Sequence, residues 1–536
     1  MLPLLSSIFI FAIFFLIVQL SITFGLDLIF NLMKKLSLIL IICVFAVRVA
    51  ISQDDFESKL LKQFHTIHSE EMMTWLEKLC SPEFNGRLAG TPEYIASAEW
   101  VAGKLKDWGL KPAGDNGNYF QWFDFPYTVV NDPGSLSLNL PQADESIIKK
   151  NYDYPNEYFP GMNSGSGEIT AEVIFVGFGV TAPELNYDDY KGIDVKGKIV
   201  LMNRDVPYSD PRNPEYKKWV GYCYHQYKLE NAVKHGAAGM LYIDGAMANP
   251  NISYDPSIIV CGIGTQPLAD IFAGLKTTNK DIIDKIKSTF KPASFNTHKS
   301  FTIKANTTRH PEGKACNVIG MIEGSDPILK NEVIIIGGHL DAVGNAGKVV
   351  NGALDNGSGV IDIMGAAKAM ALSGIKLKRS VIFLFIGGEE GGLVGSKKYT
   401  EKPLFSKEKT ITYINLDMVG NGTGLAVSAG SPYKELLDYF IQANTKYIHR
   451  TMQTSAPVPG TYYGRPRSDG VVFSMAGFRT MDMGTTGVYK KVYYHSPGDD
   501  PDAVTIDIME DVAKMVYIGL TNMANDSTLK YSFAFF

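Results

Sequence analysis

Three apolar runs in the second half of the chain each end on residues able to bind a cation. Residues 333–341 read Val-Ile-Ile-Ile-Gly-Gly-His-Leu-Asp, residues 381–390 read Val-Ile-Phe-Leu-Phe-Ile-Gly-Gly-Glu-Glu, and residues 411–417 read Ile-Thr-Tyr-Ile-Asn-Leu-Asp. Their chemistry-bearing ends are His339, Asp341, Glu389, Glu390 and Asp417. Two further candidates stand apart: Asp355, in a Gly- and Ser-rich loop at 353–359, and His495, behind Tyr493 and Tyr494. Acids gathered in one place repel each other unless a counter-charge sits among them, and divalent ions supply it. Neutral imidazole and carboxylate oxygen are zinc ligands. Two such metals, about 3.5–4 Å apart, act together on one bond. A loop aspartate such as Asp355 has the freedom to bridge them. Adjacent side chains on an extended chain point to opposite sides, so of Glu389 and Glu390 one can hold a metal while the other faces substrate as a general base.

The elements that must position these groups are legible around them. Short β-branched runs are strands of a sheet covered on both faces. Their carboxyl ends form the edge at which open α/β sheets bind ligands. Residues 357–372 carry apolar positions at helical spacing, and 506–524 form a closing helix. Upstream, 70–79 and 96–108 have helical periodicity, and the turn-rich stretch 81–92 lies between them. Residues 113–165 are rich in Asn, Asp, Pro and Gly, with short strand-like pieces. From about 167 the texture becomes βαβ-like, with strands at 173–180, 198–202 and 237–243 and a helix at 228–235, but without an acid–histidine cluster. The division expected is a leader over 1–52, a catalytic domain over 53–164 and 304–536, and an insert over 165–303.

The 536 residues are 45% apolar and 20% charged, with a formal net charge of -5. That is an ordinary globular composition, and the charge gives no reason to expect nucleic acid as a partner. Residues 2–25 are almost uncharged and long enough to span a membrane. Met33-Lys34-Lys35, an apolar run to Val47, and small residues at Ala50 and Ser52 have the layout of a secretory signal. Export with cleavage near Ser52–Gln53 is expected, with Met33 as the true start. The other reading is a membrane anchor in the N-terminal segment. Beyond the leader the cysteines are Cys80, Cys223, Cys261 and Cys316. They make no CxxC pair and no disulfide scaffold, though one disulfide is compatible with export.

The chain resembles the zinc-dependent exopeptidase family that contains secreted bacterial aminopeptidases and the glutamate carboxypeptidases. The resemblance rests on Gly-Arg-Leu-Ala-Gly-Thr at 86–91, Gly-Gly-His-Leu-Asp at 337–341, Leu-Asp-Asn-Gly-Ser-Gly at 354–359, Gly-Glu-Glu-Gly-Gly at 388–392, Asn-Leu-Asp-Met at 415–418 and Tyr-His-Ser at 494–496. The segment 165–300 resembles the protease-associated domain inserted in such enzymes. This implies a three-layer α/β/α sandwich around a mixed, mostly parallel sheet, with an inserted β-rich α/β domain. It also implies two Zn2+ per chain: one on His339 and Asp417, the other on Glu390 and His495, with Asp355 bridging. Glu389 becomes the general base, Asp341 fixes the His339 ring from behind, and Tyr494 stabilises the oxyanion. Gly470 departs from the family pattern, standing where a Ser-Asp-His segment carries histidine.

The reaction implied is removal of N-terminal amino acids from peptides by metal-activated water. Two other readings remain: a carboxypeptidase or dipeptidase of the same fold, with Arg465 and Arg467 available to hold a free carboxylate, and a non-catalytic receptor-like protein. The last requires lost ligands, and all five are present. Oligomeric state and side-chain specificity are not legible.

Overall fold

The computed structural model describes residues 35, 55–458 and 460–529. Apart from Lys35, the expected leader at 1–52 lies outside the described residues. Among those described, no helix is long and apolar enough to cross a membrane. Residues 55–63 form a separate helical unit, and everything discussed below belongs to the unit from Phe64 onward.

Among the described residues nine strands form one sheet. Its centre is four parallel strands: β10 (Ser380–Ile386), β9 (Val333–His339), β11 (Thr410–Leu416) and β13 (Thr480–Thr486). β8 (Lys314–Ile322) and β12 (Gly424–Ala429) flank them antiparallel. Every residue of β9, β10 and β11 is buried. This is why β9 and β10 read as apolar runs rather than alternating ones. One face is covered by α2 (Pro92–Asp107), α4 (Ser358–Leu372) and the closing α7 (Ile506–Asn525), and α1 (Ser69–Leu79) packs on α4 and α7. The other face holds α5 (Val394–Glu401) and α6 (Asp469–Met475), where Tyr399 and Phe473 pack with Ile335, Leu384 and Tyr413. The result is the expected three-layer sandwich around a mixed sheet.

α2 begins where Thr91 caps it by accepting from the Tyr94 N–H, with Pro92 in the first turn. The motif at 86–91 therefore ends as a helix start.

The insert has its own sheet. β3 (Gly167–Phe175), β4 (Ile199–Asn203), β5 (Gly239–Ile243) and β6 (Ile259–Ile263) are parallel neighbours in part, with α3 (His225–Lys234) between β4 and β5. The sheet reaches beyond 165–303. β7 (Phe295–His310) pairs with β2 (Tyr127–Pro141), and β2 pairs with Ile147–Asn151. The stretch at 127–151, which reads as turn-rich, is thus a hairpin whose first strand runs for 15 residues. Two register shifts between Lys304 and Thr307, opposite Ser135 to Val130, take up Asn131-Asp132-Pro133-Gly134 without ending the ladder. Cys80, Cys223, Cys261 and Cys316 are all free thiols.

Candidate metal centre

β10, β9 and β11 run in parallel register, with Ile336 beside Phe383 and Ile414. Their carboxyl ends therefore open at one edge. His339 is the last residue of β9, Asp417 follows β11, and Glu389 and Glu390 follow β10. Asp355 arrives from the turn at 353–357 that leads into α4. His495 arrives from the irregular segment between β13 and α7.

The histidine and carboxylate groups converge. His339 Nε2 stands 3.2 Å from Asp355 Oδ1 and 3.5 Å from Asp417 Oδ1. His495 Nε2 stands 3.4 Å from Asp355 Oδ2 and 2.9 Å from Glu390 Oε2. The Asp355 carboxylate thus lies between two imidazoles, one oxygen turned to each. One donor atom each from His339, Asp355 and Glu390 lie within 4.8 Å of one another.

Three of these buried atoms, His495 Nε2, Glu390 Oε1 and Asp417 Oδ1, have no hydrogen-bond partner. Each such atom costs on the order of 1–3 kcal/mol unless something else satisfies it. A convergent set of imidazole nitrogens and carboxylate oxygens, some left without partners, is what divalent zinc satisfies. The residues present therefore fit a metal pair.

Electrostatics agree with that crowding. Burial works against a charged His339, yet the facing carboxylates of Asp355 and Asp417 raise its pKa well above the imidazole value. Burial alone would raise Asp355, but the two imidazoles that face it hold it well below the usual carboxylate range. Burial drives Glu389 well above the carboxylate range; the His339 charge opposes this and Glu390 adds to it.

Two expectations about positioning change. Glu389 and Glu390 do not alternate on a strand. β10 ends at Ile386, and the two acids enter a turn in which the Gly392 and Leu393 N–H groups return to the Glu389 carbonyl. Gly388, at φ +70°, permits that turn, and a Cβ there would lie 2.5 Å from the Phe125 ring. Asp341 does not hold the His339 ring with its carboxylate. The ring Nδ1 is 3.0 Å from the Asp341 main-chain carbonyl, while the carboxylate oxygen is 3.9 Å away. The two carboxylate oxygens instead accept from the Glu389 and Glu390 N–H groups, each at 3.2 Å. The reason is geometric: the turn leaves two adjacent N–H groups unpaired, and one buried carboxylate satisfies both.

Several positioning groups were not singled out in the sequence. Asp499, which reads as part of a Pro-Gly turn, is buried and accepts from the Leu354 N–H at 2.7 Å and the Asp355 N–H at 3.1 Å. Arg87, fully buried, spreads its guanidinium over the carbonyls of Leu79, Leu340, Asn351 and Gly352. It ties the segments after β9 and before Asp355 to the motif at 86–91. Asn356, a glycan-acceptor match in sequence, is fully buried. Its amide donates to the Leu416 carbonyl and its oxygen accepts from the Met418 and Gly359 N–H groups. Asn421, in another such match, is buried with its amide on the Lys490 carbonyl. At Gly470 a Cβ would stand 2.4 Å from Asp482 Oδ1, so a histidine there would displace that acid.

Tyr494 stacks on His495 with ring centroids 3.8 Å apart, and its own ring is half exposed. Both line a cavity of about 930 Å³ together with Glu389 and Glu390. The inserted body contributes the facing wall, including Arg204, His225, Asp244 and Met247, and Arg465 and Arg467 join the rim.

Residues 317–518 match the model of Peptidase family M28, and residues 169–269 match that of the PA domain. An aminopeptidase of Pseudomonas aeruginosa is 26% identical over 366 residues, covering 65% of this chain and 56% of the relative. Leucine aminopeptidase 2 of Arthroderma otae is 42% identical over 381 residues, covering 69% of this chain and 61% of the relative. A probable glutamate carboxypeptidase of Arthroderma benhamiae is 25% identical over 480 residues, covering 73% and 64%. The chain thus spans somewhat over half the length of these curated relatives. Among solved structures, the aminopeptidase from Aneurinibacillus aligns with TM-score 0.59 at 22% identity, covering 88% of this chain and 98% of that one. A Peptidase M28 precursor from Shewanella amazonensis aligns with TM-score 0.60 at 18% identity, covering 90% and 99%. Both share the fold. Sheet order, converging ligands and these matches together identify residues 317–518 as a Peptidase family M28 domain, joined in this chain to a PA domain at 169–269.

Proposed function

We propose that the chain is an exported zinc exopeptidase that removes N-terminal amino acids from peptides. The observation that carries this reading is the Asp355 carboxylate lying between the rings of His339 and His495, with Asp417 and Glu390 on the outer sides. His339 and Asp417 would hold one zinc ion, His495 and Glu390 the other, and Asp355 both. Zinc there would supply Lewis acidity toward a peptide carbonyl and acidify water.

The chain's own residues do the remainder. Glu389 stands beside Glu390 on the cavity wall, and burial keeps its carboxylate basic. It takes a proton on a side-chain oxygen from the attacking water and returns it to the departing amine. Asp341 fixes the turn that carries both glutamates. Asp499 fixes the main chain of Asp355. The Tyr494 hydroxyl, at the cavity edge, donates to the oxygen that becomes negative as the carbon turns tetrahedral. The aminopeptidase names of the relatives from Pseudomonas aeruginosa and Arthroderma otae support the choice of peptide end.

A second reading has its own observation. Arg465 lines the cavity, and its buried Nε has no hydrogen-bond partner. A carboxypeptidase or dipeptidase would use such a group for a free carboxylate. Leucyl p-nitroanilide and an N-blocked dipeptide separate the two. Hydrolysis of the anilide alone, by protein carrying two zinc ions per chain, is expected. Hydrolysis of only the blocked dipeptide would replace the first reading with the second. Amino-terminal sequencing of protein recovered from culture medium tests export, with a start at Gln53 expected.

A further inference from the structure

The inserted body reaches the metal centre through its main chain. The segment between β5 and β6 passes beside His495. There the Ala248 N–H donates to the His495 carbonyl at 2.8 Å, and the Ala248 carbonyl lies 2.9 Å from His495 Nδ1. Ala248 is itself buried, at 1% exposure.

The segment that carries this histidine is pinned on either side, Lys490 by Asn421 and Asp499 by the Leu354 and Asp355 N–H groups, and Ala248 is the residue that bonds the His495 carbonyl and ring Nδ1. His495 follows Val488, Tyr489, Val492 and Tyr494, all exposed, in a segment without helix or strand. Its backbone is left-handed, at φ +50°, a conformation that persists in a non-glycine residue only when its surroundings impose it. The other imidazole is held differently, by the Asp341 carbonyl two residues along its own segment. The two histidines are thus braced by different bodies.

We propose that Ala248 is a positioning residue for the metal site. Its main chain keeps the proton of the His495 ring on Nδ1 and aims Nε2 at Glu390 and Asp355, so the zinc position built on His495 depends on the inserted domain and the one built on His339 does not. An imidazole binds metal only through the nitrogen that lacks a proton. A carbonyl on Nδ1 therefore selects Nε2 as the ligand atom, and such outer partners are typically worth about 10–100-fold in metal affinity. The insert is then part of the metal centre as well as a wall of the cavity.

This rests on the zinc reading above, and its test separates the two. Zinc affinity is measured on the full chain by competition with a chromophoric chelator. Wild type and Ala248→Gly, which keeps both main-chain groups, are expected to bind two zinc ions alike. Ala248→Pro lacks the N–H that pairs with the His495 carbonyl, which frees the segment presenting the Ala248 carbonyl to Nδ1; it is expected to lose about 10–100-fold at one position and to hold the other within about twofold. Equal retention of both ions in Ala248→Pro, or equal loss of both, overturns the proposal. Wild type that binds no zinc at all overturns the zinc reading instead. Nitrogen-15 histidine spectra of wild type test the tautomer without any variant. A slowly exchanging proton on His495 Nδ1 supports the proposal, and a proton on Nε2 or one in fast exchange with solvent overturns it.

Discussion

Both bodies of this molecule bury charged side chains beneath parallel strands, yet they treat them in opposite ways. In the inserted body Lys228, fully buried, donates to the carbonyls of Phe178 and Asp205. Its neighbour Asp189 accepts from the N–H groups of Phe178 and Val180 and from the Tyr187 hydroxyl. Burial lowers the lysine to about 8 and raises the aspartic acid to about 7, but the ammonium and both carboxylate oxygens have partners. In the M28 body the charged groups converge and are left short: His495 Nε2, Glu390 Oε1 and Asp417 Oδ1 have no partner. A buried polar cluster that is complete within the protein holds the fold together. One that is incomplete, with its open atoms aimed at a common point, is built for a ligand.

That contrast can be broken at either end. The largest effect is expected from Glu389→Gln, which removes the proton acceptor and no proposed metal ligand. Turnover should fall by roughly 10²–10⁴-fold while metal analysis still finds two zinc ions. Near-normal turnover would remove Glu389 from the chemistry. Asp355→Asn comes next. Because one carboxylate serves both imidazoles, both zinc affinities should fall together, by more than the roughly 10–100-fold typical of an outer partner. Chelator competition checks this, and loss at one position alone would show that Asp355 does not bridge.

On the other side, Lys228→Met should destabilise the chain by about 3 kcal/mol, because it strands buried acceptors and leaves Asp189 without its cation. Urea unfolding measures it. The variant's folded fraction should bind zinc as wild type does, since the complete cluster serves the fold alone. A selective change in zinc affinity would blur the distinction between the two bodies.

Much of this was legible in the sequence because of what burial on both faces does to a strand. β9, β10 and β11 hold no charged residue before their ends, so the acids and histidines stand out at the edge where they work. Five of the seven chemistry-bearing side chains are therefore visible one by one, and the other two, Asp355 and His495, stand out by the motifs around them. What holds them is not. Asp499 acts through main-chain N–H groups about 145 positions away, and after Pro497 and Gly498 an acid reads as an ordinary turn residue. Arg87 works on four carbonyls, a partner type that leaves no trace in side-chain pattern. Ala248 acts only through its peptide groups. Strand β2 hid for another reason: two register shifts accommodate turn-forming residues that, read locally, end a strand.

Asp362 is where the contrast meets its hardest case. It lies within α4, fully buried, and neither carboxylate oxygen has a partner. It is incomplete, yet no second open group shares its position, and burial is the sole cause that raises its pKa well above the carboxylate range. On the argument above it should carry a proton and bind nothing. The sign of its effect on stability follows. Below the ordinary aspartic acid value near ~3.9, both folded and unfolded chains hold this proton, and Asp362 contributes no pH dependence. As pH rises past that value the unfolded chain releases the proton while the folded chain keeps it, so stability falls until the raised folded pKa is reached. Asp362→Asn, neutral at every pH and close in shape, should abolish that slope. Unfolding curves of the two proteins should coincide near pH 3 and diverge toward pH 8, with the variant the more stable, while zinc content and turnover stay unchanged. Parallel curves would mean that the acid is ionised in the fold, and that an isolated incomplete group can also hold a cation.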